Sequence, residues 1–329
     1  VMSDAEASLL VAIVVPVYNE EEAIGPFHDS LVQVLESLPH RFHILYINDG
    51  STDRTQAILE HLADTDARIT VVELSRNFGH QAALSAGLDL ADGQVVITMD
   101  GDGQHPPALI PQMLETYRQG YDVVLMQRTG HEAASAFKRW SASIFYWIIS
   151  RLSNVPILPD VADFRLMSAG VVQALRRMPE YHRFLRGMIA WAGFRTTVIP
   201  YRLAKRLGGK PKYTLKKMSR LALEAIFSFS LLPLWFNILS SLCLFLLAVL
   251  QAIAILAGSL AGIPSGANRG WEISTLALLL TGGMIMLGLS LIGGYVGYIF
   301  QETKRRPVYL IRSIKTTSPV VQEKWHDMQ

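Results

Sequence analysis

The chain has 329 residues, enough for one large domain or two smaller ones. Half of the residues are hydrophobic, 18% are charged, and the mean hydropathy is +0.26. That balance excludes a disordered chain and is too apolar for an ordinary soluble enzyme. The formal net charge of +2 says nothing as a total, and no nucleic-acid partner is expected. The single cysteine, Cys243, allows no intrachain disulfide, which fits a reducing compartment.

In chain order, Leu9–Val17 is apolar but lacks the basic segment and small-residue cleavage site of a secretory leader. It reads as a buried strand, and Val1 ahead of Met2 reads as a cloning remnant. Four short runs rich in Val or Ile predict strands: Leu10–Val17, Phe42–Asn48, Ile69–Leu74 and Gln94–Met99. Between them, Glu21–Leu38, Asp53–Ala63 and Gln81–Leu90 predict helices, the second capped by Ser51 or Thr52. This alternation predicts an α/β fold with a mainly parallel sheet and helices on both faces. Ligands of such sheets sit at the carboxyl ends of strands, where three polar clusters fall. These are Tyr18-Asn19-Glu20, Asp49-Gly50-Ser51 and Asp100-Gly101-Asp102.

Farther along, 136–152 is aromatic with basic ends, which suits a membrane-interface helix, the alternative being a core helix of the first domain. From Tyr201 to Arg220 there are eight basic residues and no acid. No charge occurs between Glu224 and Arg269, nor between Glu272 and Glu302. Each gap exceeds the roughly 20 apolar residues that a bilayer core requires, so two transmembrane helices are expected. Lys304, Arg305 and Arg306 follow the second gap. By the positive-inside rule both basic flanks are cytoplasmic and the Gly258–Trp271 loop is external. Gly293 and Gly297 offer a small-residue spacing for helix packing or self-association. The expected division is a catalytic domain at 1–200, a basic juxtamembrane segment at 201–230, two spans at 231–301 and a cytoplasmic tail at 302–329.

The motif residues carry chemistry. Asp100 and Asp102 follow a buried strand, and two carboxylates one residue apart can share a hard cation, with Gln104 adding a neutral oxygen. Pro16 suits a strand terminus, and Tyr18, Asn19 and Glu20 follow where a base and ribose can sit. Asp49 is a candidate acceptor for a base N–H, and Arg76 precedes a helix start that suits an anion. Each cluster read alone is also an ordinary polar turn or capped helix.

Together, VPVYNE (15–20), NDGSTDRT (48–55), LSRNFGHQAALSAGL (74–88), DGDGQHPP (100–107) and ADFRLMSAGV (162–171) carry a resemblance. So do RLGGKPKYTLKK (206–217) and YVGYIFQETKRRPVYLI (295–311). The chain resembles family 2 nucleotide-sugar glycosyltransferases of the GT-A fold. It is most similar to the membrane subgroup that charges polyisoprenyl phosphates, which includes dolichyl-phosphate mannose synthases and bactoprenol glucosyltransferases. The resemblance implies a nucleotide-sugar site at Pro16, Tyr18, Asn19, Glu20, Asp49, Ser51, Arg76, Asn77, Gly79 and Asp100. It implies Mg2+ or Mn2+ at Asp100, Asp102 and Gln104, with Asp102 and Asp163 catalytic. Arg128, Arg165, Arg206 and Lys212 are the implied phosphate or acceptor contacts. Three positions depart from the pattern: the family often has Asp at Asn48, Lys at His80 and Ser at Pro211.

The implied reaction is metal-dependent, inverting transfer of a hexose, glucose from UDP-glucose, to undecaprenyl or another polyprenyl phosphate. Donors with GDP-mannose or a UDP-aminosugar are the alternatives. The implied setting is a bacterial inner membrane, multi-pass, with the catalytic domain and both termini cytoplasmic, as a homo-oligomer such as a tetramer. The rivals are a processive polysaccharide synthase, which usually needs more spans, a lipid-sugar flippase, and a non-catalytic nucleotide-sugar scaffold.

Overall fold

The computed structural model describes residues 8–129, 158, 161–181, 183–203, 232–260 and 267–327. The 136–152 helix, Arg206, Lys212 and most of the basic segment lie outside the described residues. The chain divides into two units, residues 1–222 with 307–329, and residues 223–306. This differs from the expected division, because the last residues join the first unit rather than forming a separate tail.

In the first unit the apolar runs become strands whose side chains are buried on both faces. The elements are β1 (Leu10–Val17), α1 (Ile24–Glu36), β2 (Arg41–Asn48), α2 (Thr55–Thr65), β3 (Ile69–Leu74), α3 (His80–Leu90) and β4 (Val95–Thr98). After them come α4 (Ile110–Arg118), β5 (Val123–Thr129), β6 (Val161–Ser168), α5 (Ala169–Arg176), α6 (Leu185–Ala192) and β7 (Thr196–Arg202). The sheet order is β7-β5-β6-β4-β1-β2-β3-β8, where β8 (Ile311–Lys315) precedes α9 (Pro319–Asp327). The sheet is mixed: β1 pairs in parallel with β2 and β4, β2 with β3, and β5 with β7, while β6 and β8 run antiparallel to their neighbours.

Alternate residues of β1 serve different layers. Val11, Ile13 and Val15 pack in one core with Ile24, Phe27, Leu31 and Leu59 of α1 and α2. On the other face α3 lies so close that a Cβ on Gly87 would overlap Val14 and sit 3.1 Å from Ile47 Cγ1. The expected cap of α2 is replaced: Asp53 Oδ1 accepts Thr55 N–H at 3.0 Å, and Ser51 turns toward Asn48 instead.

The returning C-terminal segment closes the sheet. β8 pairs with β3, which would otherwise be an unpaired edge. Arg312 Nη1 reaches Glu73 Oε1 at 2.7 Å. Lys324 of α9 donates to the carbonyl of Ala91 at 2.6 Å, satisfying the end of α3. His43 Nε2 lies 2.8 Å from Thr70 Oγ1, itself 2.5 Å from Thr316 Oγ1, so β2, β3 and the end of β8 share one polar chain.

The second unit holds α7 (Leu232–Leu260) and α8 (Ala267–Thr303), which narrow the expected Gly258–Trp271 loop. Among the described residues one segment, Ile273–Thr303, is long and apolar enough to cross a membrane, and it is largely unburied. Within α7 the described apolar stretch is Asn237–Gln251, so among the described residues one of the two expected spans is seen at full length. Gly288, the buried glycine of α8, receives Asn237; a Cβ there would lie 2.8 Å from Asn237 Nδ2. Cβ positions at Gly293 and Gly297 meet nothing within 4 Å.

Burial pushes the His43 imidazolium down to about 4 from 6.5. The unfolded chain therefore takes the proton first as pH falls, and folding loses stability between about 6.5 and 4. Urea midpoints should fall from pH 7 to pH 5 in the wild type and fall less in His43→Gln. Equal pH slopes would remove His43 as the source.

Candidate active site

Three loops meet at the carboxyl ends of β1, β2 and β3. Pro16 lies past the last pairing of β1 with β4, Val14 with Thr98, so its missing N–H interrupts no ladder bond on that side. Asn19 takes a left-handed conformation, φ 49°. Its N–H donates to Ser51 Oγ at 2.9 Å, and its Oδ1 accepts Thr52 N–H at 2.8 Å. Glu20 N–H donates to Thr55 Oγ1 at 2.9 Å. Asn48 is fully buried; it accepts Ser51 N–H at 2.9 Å and donates to Gln56 Oε1 at 2.7 Å. An ionised Asp here could accept the first bond but not donate the second, which accounts for Asn at this departure.

Asp49 ties the second loop to the third. Its oxygens accept Phe78 N–H at 2.7 Å and Gly79 N–H at 2.9 Å. Burial raises its pKa, while these two bonds oppose the shift. Gly50 has φ +66°, and a Cβ there would come within 2.7 Å of Asn77 N. The Arg76 guanidinium lies 4.2 Å from the Phe78 ring centre. The structure thus gathers the candidates Tyr18, Asn19, Glu20, Asp49, Ser51, Arg76, Asn77 and Gly79 at one end of the sheet.

Asp100 and Asp102 follow β4 beside this group. A Cβ on Gly101 would lie 2.9 Å from Val17 Cγ1, so the loop packs directly on the end of β1. Asp102 Oδ1 accepts Gln104 N–H at 3.0 Å. The Asp100 N–H donates to His105 Nδ1 at 2.8 Å.

β6 brings the opposing charges. Its pairing of Arg165 with Thr98 puts Asp163 and Arg165, two residues apart, on one face next to the end of β4. Asp163 is 5% exposed and contacts three cations. These are Arg165 Nη2, Arg186 Nη2 at 3.0 Å and His80 Nε2 at 3.3 Å. His80 Nε2 also lies 3.5 Å from Asp100 Oδ1. Burial opposes charge on Asp163, but Arg186, Arg165 and His80 outweigh it and hold the carboxyl well below its usual range. Burial likewise opposes charge on His80; Asp100 and Asp163 overrule it and push the pKa up to about 9. His80 therefore supplies the positive charge that the family's Lys carries. Arg165 Nε and Nη1 have no hydrogen-bond partner among the described residues, nor has Arg128 Nε. Arg206 and Lys212 lie outside the described residues. His80, His105 and Arg186 were not among the sequence-derived candidates; nothing in the spacing links Arg186 to Asp163, 23 residues earlier.

Chemically, Asp163 is an anchor for cations, since its oxygens are occupied and it stays ionised. Among the described residues no three His, Cys, Asp or Glu side chains are grouped to hold a metal. Asp100 and Asp102 supply two carboxylates, the ligand type that a hard cation takes.

Removing the anchor takes the counter-charge from the buried Arg165. Asp163→Ala should destabilise the protein by about 3–5 kcal/mol in denaturant titration, as breaking one side of a buried pair does. A loss well below that range would show that the cluster is not held by this carboxylate.

The Glycosyl transferase family 2 profile matches residues 12–176. An uncharacterised glycosyltransferase of Bacillus subtilis is 36% identical over 301 residues, covering 92% of this chain and 93% of the relative. A prophage bactoprenol glucosyl transferase homologue of Escherichia coli is 37% identical over 309 residues, covering 93% and 99%. Among solved structures, mannosyl-3-phosphoglycerate synthase from Rubrobacter xylanophilus aligns with 66% of this chain and 72% of its own, at 17% identity and a TM-score of 0.48. The chain is a glycosyltransferase and belongs to glycosyl transferase family 2.

Proposed function

We propose that this chain transfers glucose from UDP-glucose to undecaprenyl phosphate or a similar polyprenyl phosphate. The observation that carries the reading is Arg165. It is 1% exposed, yet two of its three guanidinium nitrogens have no partner among the described residues. Buried donors without acceptors are costly, and phosphate oxygens are the acceptors a guanidinium fork suits best. The relative named a bactoprenol glucosyl transferase homologue points to the same acceptor and sugar.

In this reading Tyr18, Asn19, Glu20, Ser51, Arg76 and Asn77 hold the nucleoside diphosphate, on the loops that Asp49 ties to Phe78 and Gly79. Asp100 and Asp102, with Gln104, would hold Mg2+ or Mn2+, which when bound would supply Lewis-acid stabilisation of the leaving diphosphate. Arg128 and Arg165, with Arg206 and Lys212, bind the lipid phosphate. Bringing two anions together costs about 4 kcal/mol at 4 Å and an effective dielectric of 20, so cations are needed more than a base. A phosphomonoester with a second pKa of about 6 is already largely ionised at pH 7. Its oxygen forms the new bond to the anomeric carbon while the bond to the diphosphate oxygen breaks. The nucleoside diphosphate leaves with the electron pair, and an α-linked donor gives a β-linked product.

We place the enzyme in a bacterial inner membrane, with α7 and α8 both crossing. The catalytic unit and termini are cytoplasmic, beside the basic residues near 201–220 and 304–306. A homo-oligomer, up to a tetramer, completes the reading.

The test is transfer of labelled sugar from UDP-glucose, GDP-mannose and UDP-N-acetylglucosamine into polyprenyl phosphate, read by mass spectrometry. Glucosyl-lipid from UDP-glucose is expected, and no glycolipid from any donor would refute the proposal. Asp102→Asn should keep the fold and lower transfer by about 100-fold or more, as loss of a transition-state charge contact does. Unchanged turnover would remove the cation role.

A further inference from the structure

Behind the loop of Asp100 and Asp102 lies a polar side chain that the mechanism leaves unused. His105 is fully buried. Its ring stacks on Phe164 at 5.1 Å between centroids and meets Tyr201 edge-on at 6.2 Å. A phenylalanine would fill that slot without burying polar nitrogens, so packing alone does not explain an imidazole. Nδ1 accepts the Asp100 N–H at 2.8 Å. That bond places the proton of the neutral ring on Nε2. Nε2 has no hydrogen-bond partner among the described residues and lies 3.6 Å from Asp100 Oδ2. One ring thus faces both the backbone and the side chain of the same aspartate.

We propose that His105 is a positioning residue for Asp100: Nδ1 accepts the backbone N–H, and Nε2 lies 3.6 Å from the carboxylate, an electrostatic contact rather than a hydrogen bond. This pairing fixes the direction in which the Asp100 carboxylate meets a divalent cation. Without it the carboxylate is free to turn toward His80, 3.5 Å from its other oxygen, and away from the cation. The ring itself cannot wander, because Phe164 and Tyr201 hold its plane. The role rests on the donor-and-cation reading above.

Two variants separate positioning from packing. In His105→Asn the side-chain carbonyl still accepts the Asp100 N–H, but nothing reaches the carboxylate. His105→Phe keeps the stack and loses both contacts. Full-length protein in detergent is titrated calorimetrically with Mn2+ in the presence of UDP, and its unliganded melting temperature is measured in parallel. His105→Asn should melt below the wild type, because the buried stack is lost, yet in its folded state bind Mn2+ about 10-fold to 100-fold more weakly, the range seen when a group that orients a metal ligand is lost. His105→Phe should bind at least as weakly. Wild-type affinity in His105→Asn overturns the proposal, and so does wild-type affinity in His105→Phe if the Asn variant does not fold. If the wild type itself binds no Mn2+ with UDP, the donor-and-cation reading falls and the positioning role falls with it.

Discussion

A guanidinium buried as completely as that of Arg165 is stable only beside a counter-charge, and the whole site is arranged around that requirement. Asp163 answers it from the same strand, two residues away. The carboxylate then collects Arg186 from α6 and His80 from the start of α3, so three separate elements converge on one anion. Asp163 neutralises only part of what it gathers. His80 also lies 3.5 Å from Asp100 Oδ1, which links the cluster to the loop after β4.

The sheet makes that convergence possible. β6 enters antiparallel between β4 and β5, which sets Asp163 and Arg165 alongside the end of β4, where Asp100 begins. Parallel strands β1, β2 and β3 deliver their loops to the same end, and those loops are bound to each other by side chains. Asn19, Ser51 and Thr55 join the first to the second, and Asp49 joins the second to the third. A ligand platform made of loops becomes rigid in this way without being part of a helix or strand. At the far edge, the C-terminal residues supply β8 and α9, so the first unit is complete only after the chain has returned from the second.

Much of this was legible beforehand. β1 and β3 match their predicted bounds, and β2, β4 and α3 differ by a residue or so, because fully buried Val and Ile runs have few other places to go. The strand-end clusters were legible because their polar residues interrupt the apolar runs at the strand ends. The capping of α2 was misread, since Ser51 is recruited by Asn48 and Asn19, partners from other turns. Two spans were expected from uncharged stretches; α7 is an uncharged apolar helix over Leu232–Leu260, while among the described residues Ile273–Thr303 has the length and hydropathy of a span.

The sequence by itself determined the strand–helix alternation, the carboxylates after β4 and the apolar C-terminal helices, because each depends on neighbours in the chain. Tertiary structure alone decided that Arg186 and His80 share Asp163, and that the last strand closes the first unit. Those contacts join residues far apart in the chain. The energy of a buried charge or an unpaired edge strand depends on which groups folding brings within a few ångströms, and local pattern carries no record of that.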